Sequence, residues 1–190
     1  MGNQGTADKQ QLTRRLVEIV GKDAVLTDKR QLHVYECDAY TLQKKRPTAV
    51  VLPKSVLEVV AVVRLCAELQ LPIIPRGAGT SLSGAVLAVE GGVMIALTRM
   101  NRVLDIDPRN RRALVEAGCV NAWITRDAVG HGLFYAPDPS SQTACTIGGN
   151  IATNSGGPHT LKNGVTTNHI LGYEMVLPDG TVEWLGVEPD

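Results

Sequence analysis

"PRGAGTSLSG", Pro75–Gly84, packs three glycines and three hydroxyl residues into ten positions, directly behind the apolar run "PIIP", Pro72–Pro75. Glycine carries a high entropic cost on folding. It persists where the backbone needs a positive φ or a close approach. The flanks show what kind of fold carries this loop. "TAVVLP", Thr48–Pro53, is a compact β-branched run ending at proline and reads as a strand. In "SVLEVVAVVRLCAELQ", Ser55–Gln70, Ser55 and Glu58 have capping-box spacing, and Val56, Val59, Val60, Val63 and Ala67 share one helical face. That helix should stop before Pro72. "VMIALTRM", Val93–Met100, is a further strand. Residues 48–98 therefore read β-α-β-loop-β, the order of a small parallel sheet.

Working outward, residues 9–21 place Leu12, Leu16, Ile19 and Val20 at helical spacing, and Asp28 is positioned to cap a second, short helix. Beyond Met100 the texture changes. Arg102–Gly118 reads as a hairpin with a Pro-Asn turn. "NAWITRDAVGHG" reads as a helix capped by Asn121 and ended by glycine. A loop rich in Pro, Ser and Thr, Ala136–Thr146, leads into a second glycine cluster, "TIGGNIATNSGG", Thr146–Gly157. The last feature, Ile170–Leu185, is a hairpin closed by Pro-Asp-Gly. The division expected is a leader and helix start over 1–20, a first lobe over 21–100, and a second lobe with antiparallel strands and helices over 101–190.

The chain has 190 residues, 44% of them hydrophobic and 20% charged, with Lys+Arg and Asp+Glu balanced at 19 each. That is ordinary globular composition with no basic stripe, so nucleic acid is not expected as a partner. No apolar run reaches the length of a transmembrane segment. The polar start, "MGNQGTADKQ", has no signal-peptide apolar region. Gly2 and Thr6 fit the loose myristoylation spacing, but a leader without fixed structure is the simpler reading. Cys37, Cys66, Cys119 and Cys145 form no C-x-x-C pair, so neither a disulfide framework nor a metal site is expected, and a cytoplasmic location is the default.

The first glycine loop is not a Walker loop, because no G-K-[ST] closes it. It is not a dinucleotide fingerprint either. Leu82 stands where a third glycine belongs, and extended chain follows instead of a helix. Its backbone amides can still form an anion-binding nest, aided by Thr80, Ser81 and Ser83. Gly77 and Gly79 are the positions expected at positive φ. Taken alone, the loop reads equally well as a sharp surface turn. A second glycine cluster shifts the balance toward a long ligand with a phosphate at one end and a flat polar ring system at the other.

Together "PRGAGTSLSG", "PDPSS" (Pro137–Ser141), "TIGGNIATNSGG" and "NGVTTNHILGYEMVLPDG" (Asn163–Gly180) resemble the PCMH-type FAD-binding domain of the vanillyl-alcohol oxidase superfamily. Within it they look like the glycolate oxidase large subunit and FAD-linked D-lactate dehydrogenase group, over about Pro47–Gly180. The fold class so implied is α+β. The resemblance implies that Arg76, Gly77, Ala78, Gly79, Thr80 and Ser81 wrap the FAD pyrophosphate, with Gly84 following. It places Pro137, Asp138, Ser140 and Ser141 along the cofactor cleft. Thr146, Gly148, Gly149, Asn150, Ala152 and Thr153 would approach the flavin and ribityl chain, and Gly157, Gly164, Val165 and Ile170 would complete the pocket. Thr80 stands where some relatives carry a flavin-linking His, and Cys145 is offset from where others carry a linking Cys. Noncovalent FAD is therefore implied.

His159 and His169 read either as substrate-side acid or base or, more simply, as loop residues bonding the backbone. The family's Lys-Tyr-Gly is here Lys162, Asn163, Gly164, which removes an aromatic ring. The chemistry implied is oxidation of a 2-hydroxy acid, glycolate or D-lactate, by hydride transfer to FAD. The partners implied are a second subunit or an electron-acceptor protein. Family members continue well past the Pro-Asp-Gly hairpin into a substrate domain, so the chain is expected to be truncated and to lack the substrate site. Three readings stay open: a fragment of such an enzyme, a flavin-binding subunit that depends on a partner, and an inactive remnant.

Overall fold

The computed structural model of the chain describes residues 2–89 and 91–189. They form two compact units. The first comprises Met1–Arg76, Ser81–Ala96 and Val176–Val182; the second comprises Gly77–Thr80, Leu97–Met175 and Glu183–Asp190.

The first unit is built on a four-stranded sheet ordered β1-β2-β4-β3, from β1 (Val25–Leu26), β2 (Ala49–Val51), β3 (Ile73–Arg76) and β4 (Val93–Ala96). β4 pairs in parallel with both β2 and β3, and β1 is antiparallel to β2. The expected β-α-β-loop-β order is therefore a parallel sheet. β2 and β4 are buried along their whole length, which is why they read as unbroken apolar runs rather than alternating ones. Val50, Ile74, Met94 and Ala96 pack with Leu32, Val86 and Ala88.

Helix α1 (Gly2–Val20) buries Leu12, Leu16 and Val20. It begins before residue 9, where the polar leader holds no proline to stop a helix. The Gly2/Thr6 pattern falls where no side chain is described. Asp28 caps α2 (Lys29–Leu32) by accepting the Arg30 amide at 2.8 Å, as the sequence indicates. In α3 (Val56–Glu68), Ser55 accepts the Glu58 amide at 3.3 Å, but Glu58 reaches back one residue further than a capping box requires, to the Lys54 amide at 2.8 Å. The buried face of α3 is Val59, Val60, Val62, Val63, Leu65 and Cys66; Ala67 is exposed. α1 is joined to α3 by Arg15, whose two terminal nitrogens meet the Glu68 carboxylate at 2.7 and 2.6 Å.

The segment after α2 is held by one buried carboxylate. Glu36 accepts from His33 at 3.0 Å, Arg46 at 3.1 Å and Lys44 at 3.5 Å. Burial pushes this carboxyl up, but the bonds from Arg46, His33 and Lys44 outweigh it and hold it below its ordinary value.

The second unit carries a hairpin of β5 (Val103–Asp107) and β6 (Arg112–Val115), closed by Asp107, which accepts the Arg109 and Asn110 amides at 3.0 and 3.1 Å. Helices α4 (Asn121–Ala128), α5 (Ile147–Thr153) and α6 (Thr160–Asn163) follow. The expected final hairpin pairs β7 (Gly172–Val176) with β8 (Val182–Gly186). The core of this unit includes Cys119, Ile124 and Ile147. Among the described residues, no helix is long and apolar enough to cross a membrane.

Met94 is fully buried at the centre of the parallel sheet. Met94→Ala should lower unfolding stability by about 2–5 kcal/mol through lost burial and the cavity left behind. Urea titration checks this, with the midpoint moving and the slope unchanged. Glu36 has a depressed folded value, so its stabilisation is present above the ordinary glutamate pKa of about 4.3 and is lost as pH falls through the lowered folded value. Glu36→Gln should therefore be destabilised relative to the native chain at about pH 7, with the gap closing as pH falls through the lowered folded value in the same titration.

Candidate functional site

The residues expected to hold a cofactor fall in both units. In the first unit, Arg76 closes β3. Its guanidinium is buried, donates to the Cys37 carbonyl at 3.0 Å and lies 5.4 Å from the centre of the Tyr35 ring. Burial pulls its pKa down, against the influence of Tyr35, Asp38 and Cys37. Arg76 therefore anchors the end of the strand. Ser81 and Ser83 pair hydroxyl to hydroxyl at 2.8 Å, and Ser81 Oγ also accepts the Ser83 amide at 3.3 Å. Gly84 follows with φ 71°.

In the second unit the loop Gly77–Thr80 lies against the start of α5. A Cβ at Gly77 would collide with the hydroxyl of Thr146, and the Gly149 Cα lies just beyond. Gly77 is thus required by close approach and not by a positive φ; Gly79 alone of the expected pair has one, at 74°. Thr146 is the N-cap of α5 and accepts the Gly149 amide at 3.4 Å. The sequence reads this cluster as a glycine loop. It is instead a short helix, because a threonine cap and Ile147, Asn150 and Ile151 at helical spacing outweigh two glycines.

The amides of that helix start are occupied. Ile147 donates to the Cys119 carbonyl at 2.9 Å, Gly148 to Ala117 at 2.8 Å and Asn150 to Thr146 at 2.9 Å. The first loop differs. The amides of Ala78, Gly79 and Thr80 make no hydrogen bond among the described residues, and all three residues are only half-exposed. Half-buried donors without partners in a glycine turn form a nest suited to an anion.

Beneath the helix lies a buried amide network that the sequence did not reveal. Asn121, expected to cap α4, is itself the first residue of the helix and makes no cap; Val120 precedes it. Its Nδ2 donates to the Pro137 carbonyl at 3.1 Å, and its Oδ1 accepts from Asn150 Nδ2 at 2.9 Å. Both asparagines are buried. They tie the "PDPSS" loop and α5 to α4. An Asn at the start of an apolar-periodic run signals a cap; nothing local distinguishes that from a core amide whose partners stand 16 and 29 residues away.

The remaining expected residues are placed as follows. Pro137 is buried, Ser140 is exposed, and the Ser141 carbonyl accepts the Ala144 and Cys145 amides at 2.8 Å. Ala152 and Thr153 lie on the exposed side of α5; Thr153 Oγ1 donates to the Gly149 carbonyl at 2.9 Å and pairs with Ser155. Asp138 meets His159 through its carboxylate, with Nδ1 at 2.5 Å, and Gly157 sits beside it. Gly164 has φ 81°, the Val165 amide donates to Asn168 Oδ1 at 3.0 Å, and Ile170 is half-buried. His169 bonds the Asn163 carbonyl through Nε2 at 2.7 Å, the simpler of its two readings, and meets the Tyr135 ring edge-on. Burial pushes the Tyr135 hydroxyl up to about 12, with Thr166 opposing. Cys145 is buried and free.

Comparison with known proteins bears on this arrangement. The FAD binding domain family matches residues 47–186. The chain is 42% identical to the glycolate oxidase subunit GlcD of Escherichia coli strain K12 over 94% of its own length and 36% of that protein. It is 42% identical to a D-lactate dehydrogenase of Anaerostipes hadrus over 75% of its length and 30% of that protein. The structure of alkyldihydroxyacetonephosphate synthase superposes with a TM-score of 0.84 at 27% identity, over 94% of this chain and 35% of that one. The chain thus spans about a third of the length of these curated relatives.

Asn121→Ala removes the buried partner of both Asn150 and the Pro137 carbonyl. It should cost about 1–3 kcal/mol for each group left unpaired. A double-mutant cycle with Asn150→Ala, read by urea unfolding, should return a coupling energy above about 0.5 kcal/mol.

Proposed function

The chain belongs to the FAD binding domain family, whose cofactor is FAD, and from that membership we propose that it holds FAD noncovalently for the oxidation of a 2-hydroxy acid of the glycolate or D-lactate class. The observation that carries this reading is the run of unpartnered amides at Ala78, Gly79 and Thr80 beside a helix start whose own amides are occupied. Those three amides, with the Thr80 hydroxyl, are the donors for the pyrophosphate. Each hydrogen bond to a charged oxygen contributes about 1.5–3 kcal/mol.

Arg76 anchors the end of β3 through the Cys37 carbonyl. Thr146, Gly148 and Gly149 form the floor beside it, and the absence of a side chain at Gly77 leaves room for the Thr146 hydroxyl. Asn150 and Asn121 fix the orientation of α5. Gly157, Gly164, Val165 and Ile170 belong to the pocket as well. Cys145 is buried, and Thr80 offers no nucleophilic ring nitrogen, which supports attachment without a covalent bond.

When bound, FAD supplies the hydride acceptor; the protein supplies binding, orientation and electrostatics. The oxidation converts the hydroxyl-bearing carbon to a carbonyl, and the electrons then pass to a separate acceptor. The relatives' names, glycolate oxidase subunit and D-lactate dehydrogenase, support this substrate class. A second reading, a flavin-binding subunit working with another chain, is supported by the first of those names and by the exposed apolar side chains Leu161, Leu171 and Val187 of the second unit.

An absorbance spectrum of the purified chain, taken before and after denaturation and removal of the precipitate, tests the reading. Flavin should be released into the supernatant. A colourless chain that ignores added FAD overturns it. Gly77→Ala should weaken FAD binding at least about tenfold, since Thr146 must move away from the loop. Fluorescence titration with FAD measures this.

A further inference from the structure

The closing hairpin carries a free sheet edge that the flavin reading leaves unused. β7 and β8 form a two-stranded sheet, and among the described residues no further strand pairs with either. Its register follows from its two ends. The Leu177 amide donates to the Thr181 carbonyl at 2.8 Å, and the Val187 amide donates to the Leu171 carbonyl at 2.9 Å. Odd-numbered residues therefore bond across the hairpin, and in an antiparallel ladder the backbone groups of the residues between them point the other way. The amides and carbonyls of Val182, Trp184 and Gly186 face outward along β8, and those of Gly172, Glu174 and Val176 face outward along β7.

The β8 edge is open. The indole of Trp184, the largest side chain of the hairpin, leans across to β7: a Cβ at Gly172 would stand 2.9 Å from its Nε1. Glycine at that position lets the ring lie over the neighbouring strand and away from the outer edge. Val182 is 43% exposed, and Glu183 and Gly186 are exposed as well. Exposed edges are normally protected by lysine, proline or a covering segment. The run "VEWLGV", Val182–Val187, contains neither lysine nor proline.

The same edge is complementary to itself. Two β8 strands running antiparallel about a twofold axis at Trp184 pair Trp184 with Trp184, and Val182 with Gly186 in both directions. Every outward amide and carbonyl of the two strands is then bonded. Glu183 stands opposite Leu185 of the second copy, so no two carboxylates meet. The β7 edge lacks this property. Its corresponding register, centred on Glu174, sets Glu174 against Glu174, and like charges directly opposite destabilise a pair.

We propose that the chain forms a twofold dimer through its β8 edges, joining two hairpins into one four-stranded antiparallel sheet. The occupant of the edge is a second copy of this chain, selected by backbone pairing and by the placement of Glu183, the one carboxylate on that strand. Dimerisation of this kind does not depend on bound FAD.

Analytical ultracentrifugation of the full native chain at increasing concentration, with and without FAD, reads the state. The native chain should pass from one chain mass to two. Val182→Pro deletes an outward amide of β8 while the bonds to β7 stay, and proline is tolerated on a sheet edge. It should weaken the dimer at least about tenfold. Val176→Pro deletes an outward amide of β7 and should leave the dimer unchanged. Leu185→Glu brings two carboxylates opposite each other and should weaken the dimer. Leu185→Lys sets an ammonium opposite Glu183 and should keep it at native strength or tighter.

Circular dichroism establishes that each variant is folded. If Val182→Pro unfolds, the two Leu185 variants decide, because both replace the same apolar side chain and differ in the sign of the charge. A native chain that stays monomeric at about 100 μM overturns the proposal; an edge reserved for a different polypeptide gives that outcome. So does a dimer that Val176→Pro weakens, or one that Leu185→Glu and Leu185→Lys affect alike. A monomeric chain that binds FAD leaves the FAD reading intact, and a dimer that binds none overturns that reading alone.

Discussion

A missing side chain organises the second unit. Gly77 has no Cβ, and the Thr146 hydroxyl occupies the space one would fill. Thr146 is fully engaged there: its side chain caps α5, its carbonyl accepts the Asn150 amide, and its residue bridges to Val120. The loop Gly77–Thr80 can therefore lie directly on a helix start. A methyl group at residue 77 would force the cap, and with it the first turn of α5, to move. Three further interactions follow from that placement. Asn150 reaches Asn121, Asn121 reaches the Pro137 carbonyl, and Pro137 sets the position of Asp138 opposite Gly157.

The division of hydrogen-bond donors within this unit is what gives it a direction. Helix N-termini are commonly the anion sites of nucleotide-binding folds, because their first amides lack partners. In α5 those amides are taken by Ala117, Cys119 and Thr146. In the glycine loop beside it, the amides of Ala78, Gly79 and Thr80 have no partner among the described residues. In the function proposed above, the helix is a floor and the loop is the surface that recognises charge. A nest of backbone amides needs no cationic side chain, which fits the inward turn of the Arg76 guanidinium.

The first unit stabilises the strand from which that loop departs. Arg76 is buried against Tyr35 and the Cys37 carbonyl, and the segment carrying those residues is held by Glu36 with its three partners Arg46, Lys44 and His33. Removing Glu36 would leave Arg46, Lys44 and His33 without their common acceptor. Their pull on the carboxyl exceeds the cost of burying it, as its lowered pKa shows.

Much of the fold was legible in the sequence, because it is written in local patterns. Unbroken apolar runs at Ala49–Val51 and Val93–Ala96 specify strands buried on both faces, and Asp28, Ser55 and the Pro-Asp-Gly turn act on amides within a few residues. The family resemblance was legible for the same reason, since its glycine clusters are contiguous. Tertiary structure decided what those residues do. It made Asn121 a core amide instead of a cap, turned Arg76 inward, assigned Gly77 to a close approach and Gly79 to a left-handed turn, and set Asp138 on His159. Each of these depends on a partner distant in the chain. Local patterning fixes the conformation of a segment through its own backbone, but which side chain faces which is fixed only when packing brings separate segments together.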